Sequence, residues 1–170
     1  MKINVPLQAC FLPDQYTKHA ATTAKVDNKY PVVSFPIEFK DVPEQAQSLA
    51  LTLIDPDSIP VCGFAYIHWV AANLDPRLTK LPENASQSGV VSMTFGNNSL
   101  AGGLLHVTDE RLNRHYVGPT PPDQPHDYQL TVTALDQKLD LPDGFWLNQL
   151  EQQMTGHVLA QATAVLPVHN

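Results

Sequence analysis

Fifteen prolines against eight glycines is the imbalance that most limits how this chain of 170 residues can fold. Each proline fixes φ and removes an amide donor, so it interrupts a helix and is excluded from the middle of a central strand. The expectation is therefore many short strands joined by fixed turns, with few helices.

The residues between the prolines carry the pattern that this predicts. Leu49, Leu51 and Leu53 share one face of Ser48–Ile54, the clearest period-two signal in the chain. The segment Phe64–Ala72 is nearly all apolar, with His68 its one ionisable residue, and reads as a strand buried on both faces. Tyr128–Leu135 and His157–Leu166 alternate, Val90–Phe95 is a shorter candidate, and Tyr30–Phe39 reads as an extended edge strand broken by Pro31 and Pro36. One helix is predicted after Pro142-Asp143: Asp143 is a suitable N-cap, Leu147, Leu150 and Met154 follow helical spacing, and Gly156 can end it. A second, short helix is predicted over Asp109–His115. Strands separated by turn signals, with helices few, imply a mainly β chain built as an antiparallel sandwich or barrel. Length and the absence of repeats or linkers imply a single domain over residues 1–170.

Charge narrows the function classes. The formal charge is −7 with ten Lys and Arg in all and no basic run, which argues against nucleic acid or an anionic membrane surface as partner. No apolar run is long enough for a membrane span, and the N-terminus lacks the apolar stretch of a signal peptide, so a cytoplasmic location is the default expectation. Cys10 and Cys62 define neither a disulfide framework nor a metal motif and are expected to be reduced, mostly buried thiols.

Two proline-braced turns hold the candidate chemistry. Asp55-Pro56-Asp57 ends the alternating strand, and Asp55 keeps the inward parity of Leu51 and Leu53, although an ordinary Asx-type turn explains it equally. His68 reads either as a core histidine tethered to a backbone carbonyl or, beside a carboxylate, as a charge-compensated site that accepts an anion. Gly118-Pro119-Thr120-Pro121-Pro122 is a stiff loop set before any ligand arrives, or a plain crossover between strands. His126 and Tyr128 share parity and suit a phosphate or carboxylate. His19, His106, His115 and His169 are expected to be solvated, and His157 to contact the end of the predicted helix. The chain has no nucleophile elbow, no phosphate-binding Gly-Lys-Ser/Thr loop, no dinucleotide fingerprint and no zinc spacing; Asp55, Asp57, His68 and His126 have the right residue types for zinc but no standard spacing. No metal and no cofactor are expected.

In their order and spacing these elements resemble the phosphatidylethanolamine-binding protein family, in particular its bacterial branch labelled Raf kinase inhibitor-like. The resemblance runs from Ser34-Phe35-Pro36-Ile37-Glu38-Phe39 through Val42-Pro43-Glu44, Asp55-Pro56-Asp57 and His68-Trp69 to Tyr116, Gly118-Pro119, Pro121-Pro122, His126 and Tyr128. It ends with Ala134-Leu135-Asp136 and His157-Val158-Leu159-Ala160. It implies two antiparallel sheets with Greek-key character and a few peripheral helices. It also implies a pocket for phosphate-like anions or phospholipid head groups, formed by Asp55, His68, Gly118, Pro121, His126 and Tyr128, with Asp57 bracing the first turn. A cis peptide among the proline turns and a homodimer are further expectations. The chain departs from the family pattern at Phe39, at Cys62-Gly63-Phe64 and in lacking a C-terminal tyrosine; regulation of kinases, known for animal relatives, does not transfer.

The expected mechanism has His68 and His126 donating to an anion, Tyr128 and the Gly118 loop amides assisting, and Asp55 orienting His68. One rival is a hydrolase or isomerase using Asp55 and His68 as an acid–base pair, without an obvious nucleophile. Another is a module that modulates a partner protein.

Overall fold

The alternating leucines of Ser48–Ile54 end up at the centre of the molecule. The computed structural model describes residues 1–170. In chain order its strands are β1 (Lys2–Asn4), β2 (Lys25–Val26), β3 (Tyr30–Pro31), β4 (Ile37–Lys40), β5 (Ser48–Asp55), β6 (Tyr66–Leu74), β7 (Lys80–Leu81), β8 (Thr94–Phe95), β9 (His126–Leu135) and β10 (Val158–Val168). Its α-helices are α1 (Ile59–Cys62), α2 (Ala85–Ser88), α3 (Glu110–Asn113) and α4 (Leu147–Met154).

The main sheet has the order β10-β9-β5-β6-β8, with antiparallel neighbours throughout. A smaller sheet, β1-β4-β7, is also antiparallel, and β2 and β3 form a two-stranded ribbon. Leu49, Leu51 and Leu53 of β5 bury against Ile37 and Phe39 of the small sheet and, along the main sheet, beside Trp69, Leu130 and Val132. This is the larger core. The opposite face of the main sheet buries Ala50, Val70 and Ala72 under Phe145 and Leu150, so β5 and β6 are covered on both sides. Near-continuous apolar sequence in β6 follows from that double cover.

Several expectations are corrected here. Tyr30–Phe39 is not one strand: β3 and β4 are separate pieces in separate sheets. Only Thr94–Phe95 of Val90–Phe95 is strand. The long helix starts at Leu147 with Trp146 as its N-cap, because Asp143 Oδ1 instead accepts the amide of Phe95 at 2.8 Å. The short second helix forms as α3, capped by Asp109, which accepts from Arg111 N at 3.0 Å. No peptide bond is cis. Both cysteines are exposed: Cys10 sits in a turn at φ 69° and Cys62 at the end of α1, against Gly63. His115 is half-buried, its Nδ1 donating to the Ser86 carbonyl and its ring 4.2 Å from that of Phe95. His157 donates its amide to Met154 O at the end of α4, and its ring pairs with Asp136 at 2.9 Å.

The topology explains how distant residues converge. β5 lies between β6 and β9 and runs antiparallel to both, so its last residues meet the first residues of its neighbours. Asp55 is opposite Tyr66, and Ile54 is opposite Gln129. One end of the main sheet therefore gathers Asp55, Tyr66, His68, His126 and Tyr128.

Candidate functional site

A β-bulge aims His68. Leu53 pairs with Trp69 while the next residue, Ile54, pairs with Ile67, so His68 is an extra residue in β6. Counted back from Trp69, which faces the larger core, strict alternation would send His68 to the other face. The bulge resets the parity, and His68 joins Tyr66 at the cavity. Two hydrogen bonds from one residue then fix it. Val117 N donates to the His68 carbonyl at 3.1 Å, and the His68 ring donates from Nδ1 to the Val117 carbonyl at 2.8 Å. Burial lowers the His68 pKa to about 4, outweighing the Val117 carbonyl and Asp55, which favour the charged ring. Above that value the ring is neutral.

Asp55 does not orient His68. Its Oδ2 accepts from His126 Nδ1 at 2.8 Å, and its Oδ1 accepts from Ser58 N at 3.2 Å. The second nitrogen of His126, Nε2, donates to Asp123 Oδ1 at 3.0 Å. Burial opposes charge on His126, but the bonds and charges of Asp55 and then Asp123 outweigh it, and the pKa is raised. His126 is thus an imidazolium clamped between two carboxylates, with neither N–H free. This corrects the expected mechanism, in which both histidines donate to a ligand. Asp55 and His68 make no hydrogen bond with each other. Burial and the Asp55 charge push the Tyr128 hydroxyl well above its usual range, and its ring meets that of His68 edge-on at 5.1 Å.

The cavity at this end of the sheet holds about 300 Å³, near the lower limit for small-molecule sites. Asp55, His68, His126 and Tyr128 line it, as expected from the sequence. Asp57, Gly118 and Pro121 stand behind it. Asp57 Oδ2 accepts from Asp127 N at 2.8 Å and ties the first turn to β9. Gly118 is a point of close approach, donating its amide to Pro31 O at 2.8 Å with the Tyr16 carbonyl beside its Cα. The Pro121 carbonyl accepts from Lys18 Nζ at 2.6 Å. From that loop, Thr120 and Pro122 line the cavity instead.

Sequence reasoning missed Lys29, Tyr30, Ser58 and Tyr66 in the lining. Tyr66 carried a usable signal, two residues before His68 on one strand. Ser58 did too, as a turn residue after Asp-Pro-Asp; its Oγ accepts from Tyr66 N at 2.8 Å and lies 2.7 Å from the Asp55 carbonyl. Lys29 and Tyr30 arrive from a distant ribbon and left none. Val61, Leu100 and Leu105 supply apolar wall, and Val61 and Leu105 are also exposed at the surface. No three His, Cys, Asp or Glu side chains are grouped to hold a metal ion. A wider groove of about 740 Å³ between Glu44, Asn73, Arg77 and Lys138 contains an exposed Asp75–Arg77 ion pair and no buried titratable side chain. No helix is long and apolar enough to cross a membrane.

Comparison with known proteins places this geometry. Residues 6–168 match the family model described as phosphatidylethanolamine-binding protein. The protein YxkA of Bacillus subtilis (strain 168) is 48% identical over 156 residues, covering 92% of each chain. A UPF0098 protein of Chlamydia trachomatis is 34% identical over 132 residues, covering 76% of this chain and 78% of its own. Among solved structures, a putative phosphatidylethanolamine-binding protein homologue of Chlamydia trachomatis, CT736, superposes with a TM-score of 0.79 at 26% identity, covering 99% of this chain and 97% of its own. The fold is shared with Escherichia coli YbcL at a TM-score of 0.76 and 19% identity, over 99% of this chain and 98% of that one. With the family model spanning nearly its whole length, the chain belongs to the phosphatidylethanolamine-binding protein family.

Proposed function

We propose that the chain is a binding protein whose cavity takes a small phosphate-type head group and leaves it chemically unchanged. The observation that carries this is the charge of the lining. In a chain of formal charge −7, Lys29 and His126 in the lining balance Asp55 beside them and Asp123 behind His126, so this spot carries no net negative charge. An anion is repelled less at that spot than by the chain as a whole. The apolar wall of Val61, Leu100 and Leu105 suits a head group that carries a carbon chain. The family description, which names a phospholipid, supports the same ligand class. Chemistry is disfavoured because the one strongly polarised histidine has both nitrogens engaged and no nucleophile stands against it.

Few charge-assisted bonds are on offer, so affinity is expected in the range of about millimolar to micromolar. The test is an NMR titration with O-phosphoethanolamine, reading the ring signals of His68 and His126, with phosphorus spectra recorded over a day. Saturable shifts and an intact ligand are expected. Rings that do not respond, or a ligand that is hydrolysed only when the protein is present, refute the proposal.

A further inference from the structure

A carbonyl oxygen cannot donate, so the contact of His68 Nδ1 with Val117 O at 2.8 Å places the neutral ring's hydrogen on Nδ1. Nε2 is left as a bare lone pair, with no protein partner, on a residue only 3% exposed that lines the cavity. The groups around it hold that state. Tyr66, 4.8 Å away between ring centres on the same strand, and Tyr128 on β9 both have raised hydroxyl pKa values and stay neutral. His126 on β9 is a like charge that disfavours a second imidazolium. Asp55 on β5 is the one carboxylate in the lining, and its oxygens already serve His126 and Ser58. Lys29, Tyr30 and the Cys62 thiol complete the polar rim. His126 turns no N–H toward the cavity. The two histidines therefore present an acceptor where an anion clamp would present donors.

We infer that the cavity selects the singly protonated monoanion of a phosphate monoester, which donates its own P–O–H hydrogen to His68 Nε2, over the dianion and over sulfate esters. This rests on the cavity being a phosphate-type site. Charge points the same way. Lys29 and His126 stand against Asp55 and Asp123, a balance that a monoanion upsets by one charge and a dianion by two. Asp123, with its side chain half exposed on the far side of His126, lies outside the lining.

Methyl phosphate monoanion and methyl sulfate have the same charge and closely similar shape, and differ by one O–H. The experiment measures the affinity of both, by NMR or calorimetry, at about pH 5 and about pH 8, around the monoester pKa of about 6. At the lower pH methyl phosphate is expected to bind about tenfold tighter or more, since methyl sulfate leaves the His68 lone pair unmet. The ratio of the two affinities then falls about a hundredfold at the higher pH, where only about 1% of the monoester is still protonated. Titration of His126 weakens both ligands equally and cancels in the ratio. Equal affinities at low pH, or parallel loss of both, put the proton on the His68 ring and overturn the inference while the phosphate-type site stands. Binding of neither ester overturns both readings. His68→Gln, whose amide also offers a donor, is expected to bring the ratio at low pH to within about threefold. A folded variant that keeps the full ratio overturns the inference, and if it does not fold, the parent's ratio decides.

Discussion

Gly118→Ala tests whether the proline loop is held by close backbone approach. A Cβ at residue 118 would lie 2.4 Å from the Tyr16 carbonyl oxygen and 2.8 Å from Pro31 Cβ. The first of these is a backbone atom, so no rotamer change relieves the contact. Tyr16 O is also the acceptor of the buried Tyr116 hydroxyl at 2.6 Å, and the Gly118 amide is itself bonded to Pro31 O at 2.8 Å. Making room means parting the loop from both neighbours. Overpacking costs about 1–3 kcal/mol, and strain on two hydrogen bonds adds about 0.5–1 kcal/mol each. The expected loss is about 2–5 kcal/mol, large for a single substitution. At a urea m-value of about 2 kcal/mol/M, the unfolding midpoint drops by about 1–2.5 M. Because Val117, the next residue back, holds both the carbonyl and the ring of His68, the His68 NMR signals shift as well. A glycine replaced without strain gives the opposite sign, a gain of about 0.4–1 kcal/mol. A variant at least as stable as the parent, with His68 unmoved, would refute the argument.

Asp55→Asn removes the stronger of the two carboxylate partners of His126. The His126 pKa falls, and stability drops by about 1–3 kcal/mol, less than for an orphaned buried charge because the ring keeps Asp123 and can lose its proton; an NMR titration in which His126 keeps its raised pKa counts against the clamp. Stability against pH carries two histidine terms of opposite sign. The folded pKa of His68 is about 4 against 6.5, so between those values the unfolded chain takes up a proton that the folded one refuses. Stability therefore falls as pH falls through that window, by about 3 kcal/mol in all, and His68→Gln flattens this acid limb. The His126 pKa is raised, so its contribution is complete below its unfolded value and is lost as pH rises through the folded one. Urea denaturation across the range should show a maximum near about pH 6–7; a minimum there contradicts both assignments.

What the sequence showed well was local. Alternation at Leu49, Leu51 and Leu53, and from Tyr128 to Leu135, is set by the two faces of one strand, so the strand can be read without knowing its neighbours. The same holds for Leu147, Leu150 and Met154, whose spacing located α4, although its start was misjudged. Asp143 is a competent cap by residue type, yet the Phe95 amide from another part of the chain claims its side chain first. Cys62 was expected inside because cysteine usually is. The turn that ends α1 carries it to the rim instead, its Sγ resting 3.3 Å from the carbonyls of Ser58 and Phe64. At Asp143 a non-local partner overrode a sound local preference, and at Cys62 the local turn overrode a general tendency of the residue type.

The site follows the same division, and the consequence is chemical. Its residue types were legible, but which carboxylate serves which histidine was not, because that depends on the strand order. Asp55 stands on β5 between a histidine from β6 and a histidine from β9, and its two oxygens are taken by His126 and the Ser58 amide. Nearness in sequence favours His68. The bulge in β6 and the loop at Val117 decide otherwise, handing His68 to a carbonyl and leaving Asp55 to His126. A carbonyl fixes a ring's tautomer without stabilising its charge as a carboxylate does, so burial leaves His68 neutral while Asp55 and Asp123 hold His126 as a cation. Had the pairing run the other way, His68 would be the donor and the cavity would favour a fully ionised anion. A one-residue bulge thus determines whether the His68 ring meets the cavity as an acceptor or as a donor.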